Sequence, residues 1–288
     1  MQAGAIVETL EFEWGETVDP VLVDQKLSEN PDISMLAFVH AETSTGVCAD
    51  AKAICAVAQQ HDCLSIVDAV TSLGGSELRV DEWGIDAIYS GTQKCLSCIP
   101  GLSPVSFSPR AIAKIKQRST KNYSWFLDLN LVMDYWGDGA KRTYHHTAPV
   151  NSLYALHESL LILKEEGLEN AWQRHELHHN ALVAGLEKLG VNMLVETDIR
   201  LPQLNAVKIP DGIEDAAVRA TLLNQYDLEL GAGLGKFAGK AWRIGLMGNG
   251  CSRKNVEYCI ASLGAVLNEQ GHSCDIEGAL AAVENAYP

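Results

Sequence analysis

Two short apolar runs separated by a helical stretch constrain the fold of this chain more than any other feature. Met35-Leu-Ala-Phe-Val39 and Leu64-Ser-Ile-Val67 have strand length, and between them Ala51, Ile54, Cys55 and Ala58 share one helical face. Strand, helix and strand at this spacing predict a β-α-β unit, whose strands run parallel because the helix carries the chain back across the sheet. Ala87-Ile-Tyr89 and Val105-Ser-Phe107 read as further short strands. The chain to about residue 110 is therefore expected to form part of a parallel sheet covered by helices, with ligands at the carboxyl ends of its strands.

Beyond that segment the period turns helical. Leu153, Leu156, Leu160 and Leu163 form one apolar stripe, and Leu168, Trp172, Leu182, Leu186 and Leu189 form the next, with Gly167 and Gly190 as punctuation. Strands are expected over Ala206 to Ile209 and Trp242 to Leu246, and helices over Ala216 to Tyr226 and Arg253 to Leu267. The pattern predicts a large α/β domain over residues 1–167 and a smaller α+β domain over 168–288.

Composition narrows the function. Lys and Arg number 22 against 37 Asp and Glu, a formal charge of −15, which repels nucleic-acid phosphates and anionic lipid alike. No apolar run has the length of a spanning helix, and no signal-peptide pattern follows Met1. Eight cysteines in 288 residues are too dilute for a disulfide scaffold, so a reducing, cytoplasmic setting is expected. Cys95 and Cys98 form a C-x-x-C without a second pair, and they read as ordinary loop thiols.

Asp68 closes the run Leu64-Ser-Ile-Val67, which places a carboxylate at a strand's carboxyl end. Lys94 follows the strand Ala87–Tyr89 through Ser90-Gly-Thr-Gln, ahead of the turn Pro100-Gly101. Each alone has an ordinary explanation, a turn aspartate and a solvated lysine. Together they match the needs of pyridoxal 5'-phosphate: an amine for its aldehyde, and an anion facing its pyridinium nitrogen to keep the ring an electron sink.

Ser65-Ile-Val-Asp68-Ala-Val-Thr-Ser72-Leu-Gly-Gly, Gly84-Ile-Asp86 and Ser90-Gly-Thr-Gln-Lys94 resemble class V aminotransferases. With Tyr144-His-His-Thr147 and Trp242-Arg243-Ile-Gly-Leu, the chain is similar over nearly its whole length to the alanine–glyoxylate and serine–pyruvate group. The resemblance implies a fold-type I α/β enzyme that works as a homodimer and moves an amino group from alanine or serine to a 2-oxo acid, glyoxylate or pyruvate. It assigns Lys94 as the Schiff-base lysine, Asp68 as the pyridinium partner, Gln93 as a cofactor contact and Thr43 as a hydroxyl near the ring. Tyr144 and Thr147 correspond to residues that reach the cofactor phosphate of the other subunit. Arg243 corresponds to the arginine that binds the substrate carboxylate, for which a planar guanidinium is suited. Family members begin before the residue matching Met1, and that front carries a phosphate-cradling loop and a ring-stacking aromatic. A second expectation follows: a catalytically impaired, dimerising remnant of that family that keeps the scaffold but cannot hold the cofactor.

Two other patterns are set aside. His175-Glu-Leu-His178-His179 satisfies H-E-x-x-H, a zinc-hydrolase pattern, but His175 and His179 share the stripe of Trp172, Leu182 and Leu186, so packing accounts for them. Gly231-Ala-Gly233-Leu-Gly235 lacks the preceding strand and following helix of a dinucleotide-binding loop, and the resemblance to class V aminotransferases implies a loop ahead of the strand bearing Arg243.

Overall fold

Helix α1 (Pro20–Glu29) begins where Pro20, preset to a helical φ, follows Asp19, whose side chain accepts from Val21 N. Strand β1 (Met35–Val39) comes next, then the small hairpin β2 (Ala41–Glu42) and β3 (Val47–Cys48). Helix α2 (Ala51–Gln60), capped by the Asp50 side chain on Ala53 N, buries the expected Ala51, Ile54, Cys55 and Ala58. Strands β4 (Leu64–Asp68), β5 (Ala87–Tyr89) and β6 (Val105–Phe107) complete a sheet of order β1-β4-β5-β6. The computed structural model describes residues 4–137 and 143–288.

Strands β1, β4 and β5 run parallel, as the β-α-β reading requires, but β6 is antiparallel to β5. The correction has a simple cause. Fifteen residues join β5 to β6 without a helix, and a parallel return needs a crossover that is usually helical. Buried Asp86 secures this end of the sheet, accepting from Ser65 N at 3.1 Å and from Ser108 Oγ at 2.7 Å. Under the sheet, Cys55, Val67, Ala69, Ile85 and Ile88 form a compact cluster.

Helices α3 (Pro109–Lys116), α4 (Leu129–Trp136) and α5 (Val150–Glu166) follow. The leucine stripe of α5 is not a core stripe: the helix has no buried residue, and Leu160 is 46% exposed. Helix α6 (Leu168–Lys188) buries Leu182 and Leu186, with Leu189 just beyond it, whereas Leu168 at the head of its stripe is exposed.

A second sheet has the order β7-β9-β8, from β7 (Leu204–Lys208), β8 (Gly231–Ala232) and β9 (Ala241–Gly245), all pairs antiparallel. The glycine stretch is thus partly a strand, because Gly231 and Ala232 pair with Arg243 and Trp242. Helices α7 (Asp215–Tyr226), α8 (Arg253–Glu269) and α9 (Ile276–Asn285) close over this sheet together with α6. The largest buried apolar cluster lies here, and all of its residues come from Ala181 onward. No described helix is long and apolar enough to cross a membrane.

Candidate active site

Parallel register sets Asp68 beside Tyr89, and Val39 beside Asp68, at the carboxyl ends of three neighbouring strands. Asp68 is half-buried; its Oδ1 accepts from Val70 N at 2.9 Å and its Oδ2 from the Tyr89 hydroxyl at 2.7 Å. Desolvation first, then this hydrogen bond and the charge of Asp68, push the Tyr89 phenol up to about 12, so it is a donor at neutral pH. The carboxylate keeps lone pairs for a further N–H.

The turn bearing Lys94 is pinned to the loop that follows Asp68. Ser90 Oγ donates to Ala69 O at 2.9 Å, and the buried Cys95 thiol donates to Thr71 O at 3.2 Å. Thr92, also buried, donates to Ile99 O at 2.7 Å and closes the turn on itself. Lys94 is half-buried, and among the described residues its Nζ makes no hydrogen bond or ion pair; Gln93 beside it is exposed. The Cys95 thiol is pushed up to about 12, chiefly by burial, which makes it inert as a nucleophile.

Thr43 and Arg243 lie 200 positions apart, yet Arg243 Nη1 donates to Thr43 O at 3.2 Å while its Nε donates to Ala232 O at 2.8 Å. Among the described residues one Nη1 hydrogen and both on Nη2 have no acceptor, enough for a bidentate bond to a carboxylate. The Thr43 turn reaches this position because Gly46, at φ +82°, packs its Cα against β7: a Cβ there would lie 2.9 Å from Leu204 O. Leu201 N also donates to Gly46 O at 2.8 Å.

Tyr144 and Thr147 stand apart from this group. Their hydroxyls are 2.9 Å from each other, and Tyr144 is 69% exposed. Both are therefore open to a second copy of the chain.

The groups present fit pyridoxal phosphate at three points: an amine for the aldehyde and buried Thr45 and Ser72 hydroxyls on the two flanking loops, all without partners among the described residues, and a strand-end carboxylate for the ring nitrogen. The aminotransferase class-V family model matches residues 1–241. The chain belongs to this family. The family uses pyridoxal phosphate, and relatives similar to this chain are transaminases. The (S)-ureidoglycine–glyoxylate transaminase of Bacillus subtilis is 38% identical across 99% of this chain and 72% of that one. The alanine–glyoxylate aminotransferase of Oryctolagus cuniculus is 38% identical over 87% of this chain, which spans 64% of that enzyme; for the Callithrix jacchus enzyme the span is 58%. A crystal structure of ureidoglycine–glyoxylate aminotransferase from Bacillus subtilis superposes with a TM-score of 0.95 at 39% identity, over 99% of this chain and 73% of that one. The alanine–glyoxylate aminotransferase of Nostoc sp. gives 0.89 at 44% identity over 92% and 70%.

In this aminotransferase the H-E-x-x-H histidines are consumed by packing. His175 Nδ1 lies 2.6 Å from Ala171 O, its Nε2 accepts from Gly248 N, and His179 Nδ1 bonds Asn205. Burial lowers the pKa of His175, His178 and His179, and no cluster of metal-ligating side chains occurs among the described residues. Sequence reading missed Tyr89 as a partner of Asp68. The signal was available, since both are the last residues of parallel neighbours.

Proposed function

We propose that this aminotransferase moves an amino group from a small L-amino acid, alanine or serine, to glyoxylate or pyruvate, using pyridoxal phosphate on Lys94. The observation that carries this is a half-buried, partnerless Lys94 amine, with the turn bearing it pinned to the loop after Asp68, while Arg243 offers a free guanidinium fork beside Thr43. Bound pyridoxal phosphate supplies an aldehyde that captures amines and a ring that withdraws electrons. Lys94 Nζ would hold the cofactor through its aldehyde, and its amine would move the proton of the substrate α-carbon. Asp68 would hold the proton on the ring nitrogen, and Tyr89 fixes the carboxylate for that contact. Thr43 and Gln93 would contact the cofactor, and Arg243 would orient the substrate carboxylate. Glyoxylate recurs in the names of these relatives while the donor differs, which supports glyoxylate as the acceptor.

The working form is a homodimer, in which Tyr144 and Thr147 reach the partner's cofactor phosphate. Exposed Tyr144 and, on α5, Tyr154 and Ile162, at 69, 73 and 59%, supply a face for the second copy. All eight cysteines are free, which suits a reducing, cytoplasmic compartment. The test combines an absorbance titration with pyridoxal phosphate, sedimentation, and an assay of glycine formed from glyoxylate with alanine, serine or ureidoglycine. A new band, a dimer and glycine from alanine or serine are expected. A folded dimer without the band would leave a non-catalytic scaffold and sink the proposal.

A further inference from the structure

We infer that Ser97 is a positioning residue: its hydroxyl latches the Lys94 turn to the turn that follows β9, so that the amine and the Arg243 strand are held as one unit. The inference rests on the reading of Lys94 given above. Ser97 sits at φ +56°, one of three non-glycine residues with positive φ among the described residues; the other two, Asp62 and Asp227, are of a type that adopts this region more readily. Such a conformation costs energy and persists where surrounding contacts impose it.

Here the contact is a hydrogen bond from Asn249 N to Ser97 Oγ at 2.7 Å, joining residues 152 positions apart. Ser97 N in turn donates to Lys94 O at 3.0 Å. The two turns nest closely: Gly248, at φ +53°, has no room for a Cβ, which would overlap Ser97 Oγ and approach Cys95 O at 3.0 Å.

Gly248 is itself clamped from α6. Its N–H donates to His175 Nε2 at 3.0 Å, and its carbonyl accepts from Arg174 Nη1 at 2.8 Å, which also reaches Cys251 O at 3.0 Å. Arg174 is ion-paired with Glu166. His175 has its Nδ1 beside Ala171 O, so the ring proton resides on Nδ1 and Nε2 is the acceptor that Gly248 N requires. The first histidine of the zinc-like pattern thus anchors one end of a chain of bonds whose other end is the Lys94 turn. Side chains held by such a support lose less freedom when they react.

Three proteins test it, without cofactor and well below their melting temperatures: the parent, Ser97→Gly and Ser97→Asn. Glycine relieves the positive φ and deletes the acceptor, whereas asparagine accepts the same conformation and offers an acceptor. Amide exchange at Asn249 and acetylation of Lys94, read by peptide mass spectrometry against exposed Lys188, should each rise threefold or more in Ser97→Gly. Covalent capture of pyridoxal phosphate, trapped with borohydride, should weaken about tenfold. The melting temperature of Ser97→Gly should equal or exceed that of the parent, and Ser97→Asn should restore all three readouts. Changes below threefold in exchange or acetylation, or no restoration by asparagine, overturn the latch. If exchange and acetylation respond as expected but the parent never captures pyridoxal phosphate, the latch stands and the proposed function falls.

Discussion

In the proposed reaction Asp68 and Lys94 carry the chemistry, and each has a distinct failure mode. Lys94→Ala should abolish covalent capture of pyridoxal phosphate, since the aldehyde then has no amine at the strand end; borohydride label appearing on another lysine would falsify the assignment. Asp68→Asn fills the same volume and keeps one oxygen to accept from Val70 N, with its amide nitrogen donating to the Tyr89 hydroxyl in place of the bond Tyr89 now gives, but it cannot hold a proton on the ring nitrogen. Turnover should fall by orders of magnitude while cofactor binding falls far less, and a variant within a few fold of the parent contradicts the role. Tyr89→Phe removes one hydrogen bond to a charged group, worth about 1.5–3 kcal/mol. A loss in kcat up to roughly a hundredfold is expected, with the cofactor still bound.

At the scale of elements, short polar contacts decide where strands and helices stop. Ser108 caps α3, accepting from Ala111 N at 3.1 Å, and its own hydroxyl donates to buried Asp86 at 2.7 Å. Ser108→Ala removes a cap and leaves a buried carboxylate short of a donor, so a loss of about 2–4 kcal/mol is expected. Urea unfolding would show it as a lower midpoint at unchanged slope; a loss under 1 kcal/mol means that Arg110, 3.7 Å from Asp86, takes over. Helix α5 shows the opposite situation. Its leucine stripe has the right period but is only partly covered within the chain, with Leu153, Leu156 and Leu163 half-buried and Leu160 exposed, because a periodic face records that something is covered without specifying what.

For the whole molecule, buried histidines set the acid limit. His40 is 3% exposed and held down to about 4, chiefly by burial, against a weaker opposing pull from Asp50. Its folded pKa lies below the unfolded value near 6.5, so its contribution is complete above about pH 6.5 and is lost as pH falls towards 4. The loss amounts to about 3 kcal/mol by pH 4 for His40 alone. His175, His178 and His179 are shifted in the same direction by burial and add to it. The unfolding free energy should therefore decline between pH 6.5 and 4, and His40→Asn should flatten that slope whatever it does to stability at neutral pH. An unchanged slope in the variant means that His40 is already protonated in the folded protein.

The sequence by itself determined the β-α-β unit, the buried face of α2, and the placement of Asp68 and of the Lys94 turn at strand ends, because strand and helix periods are local and a parallel pair fixes which ends coincide. Family motifs supplied Thr43, Gln93, Tyr144, Thr147 and Arg243 as residues of interest, with no statement of which of them meet. Tertiary structure alone decided that Arg243 reaches the Thr43 carbonyl, that Tyr89 holds Asp68, that β6 runs antiparallel and that His175 supports Gly248 instead of a metal. Each of those contacts joins segments far apart in the chain or turns on the direction of a connecting loop. Local period says which face seeks cover or which group seeks a partner, and only the packing of the whole chain selects the one it finds.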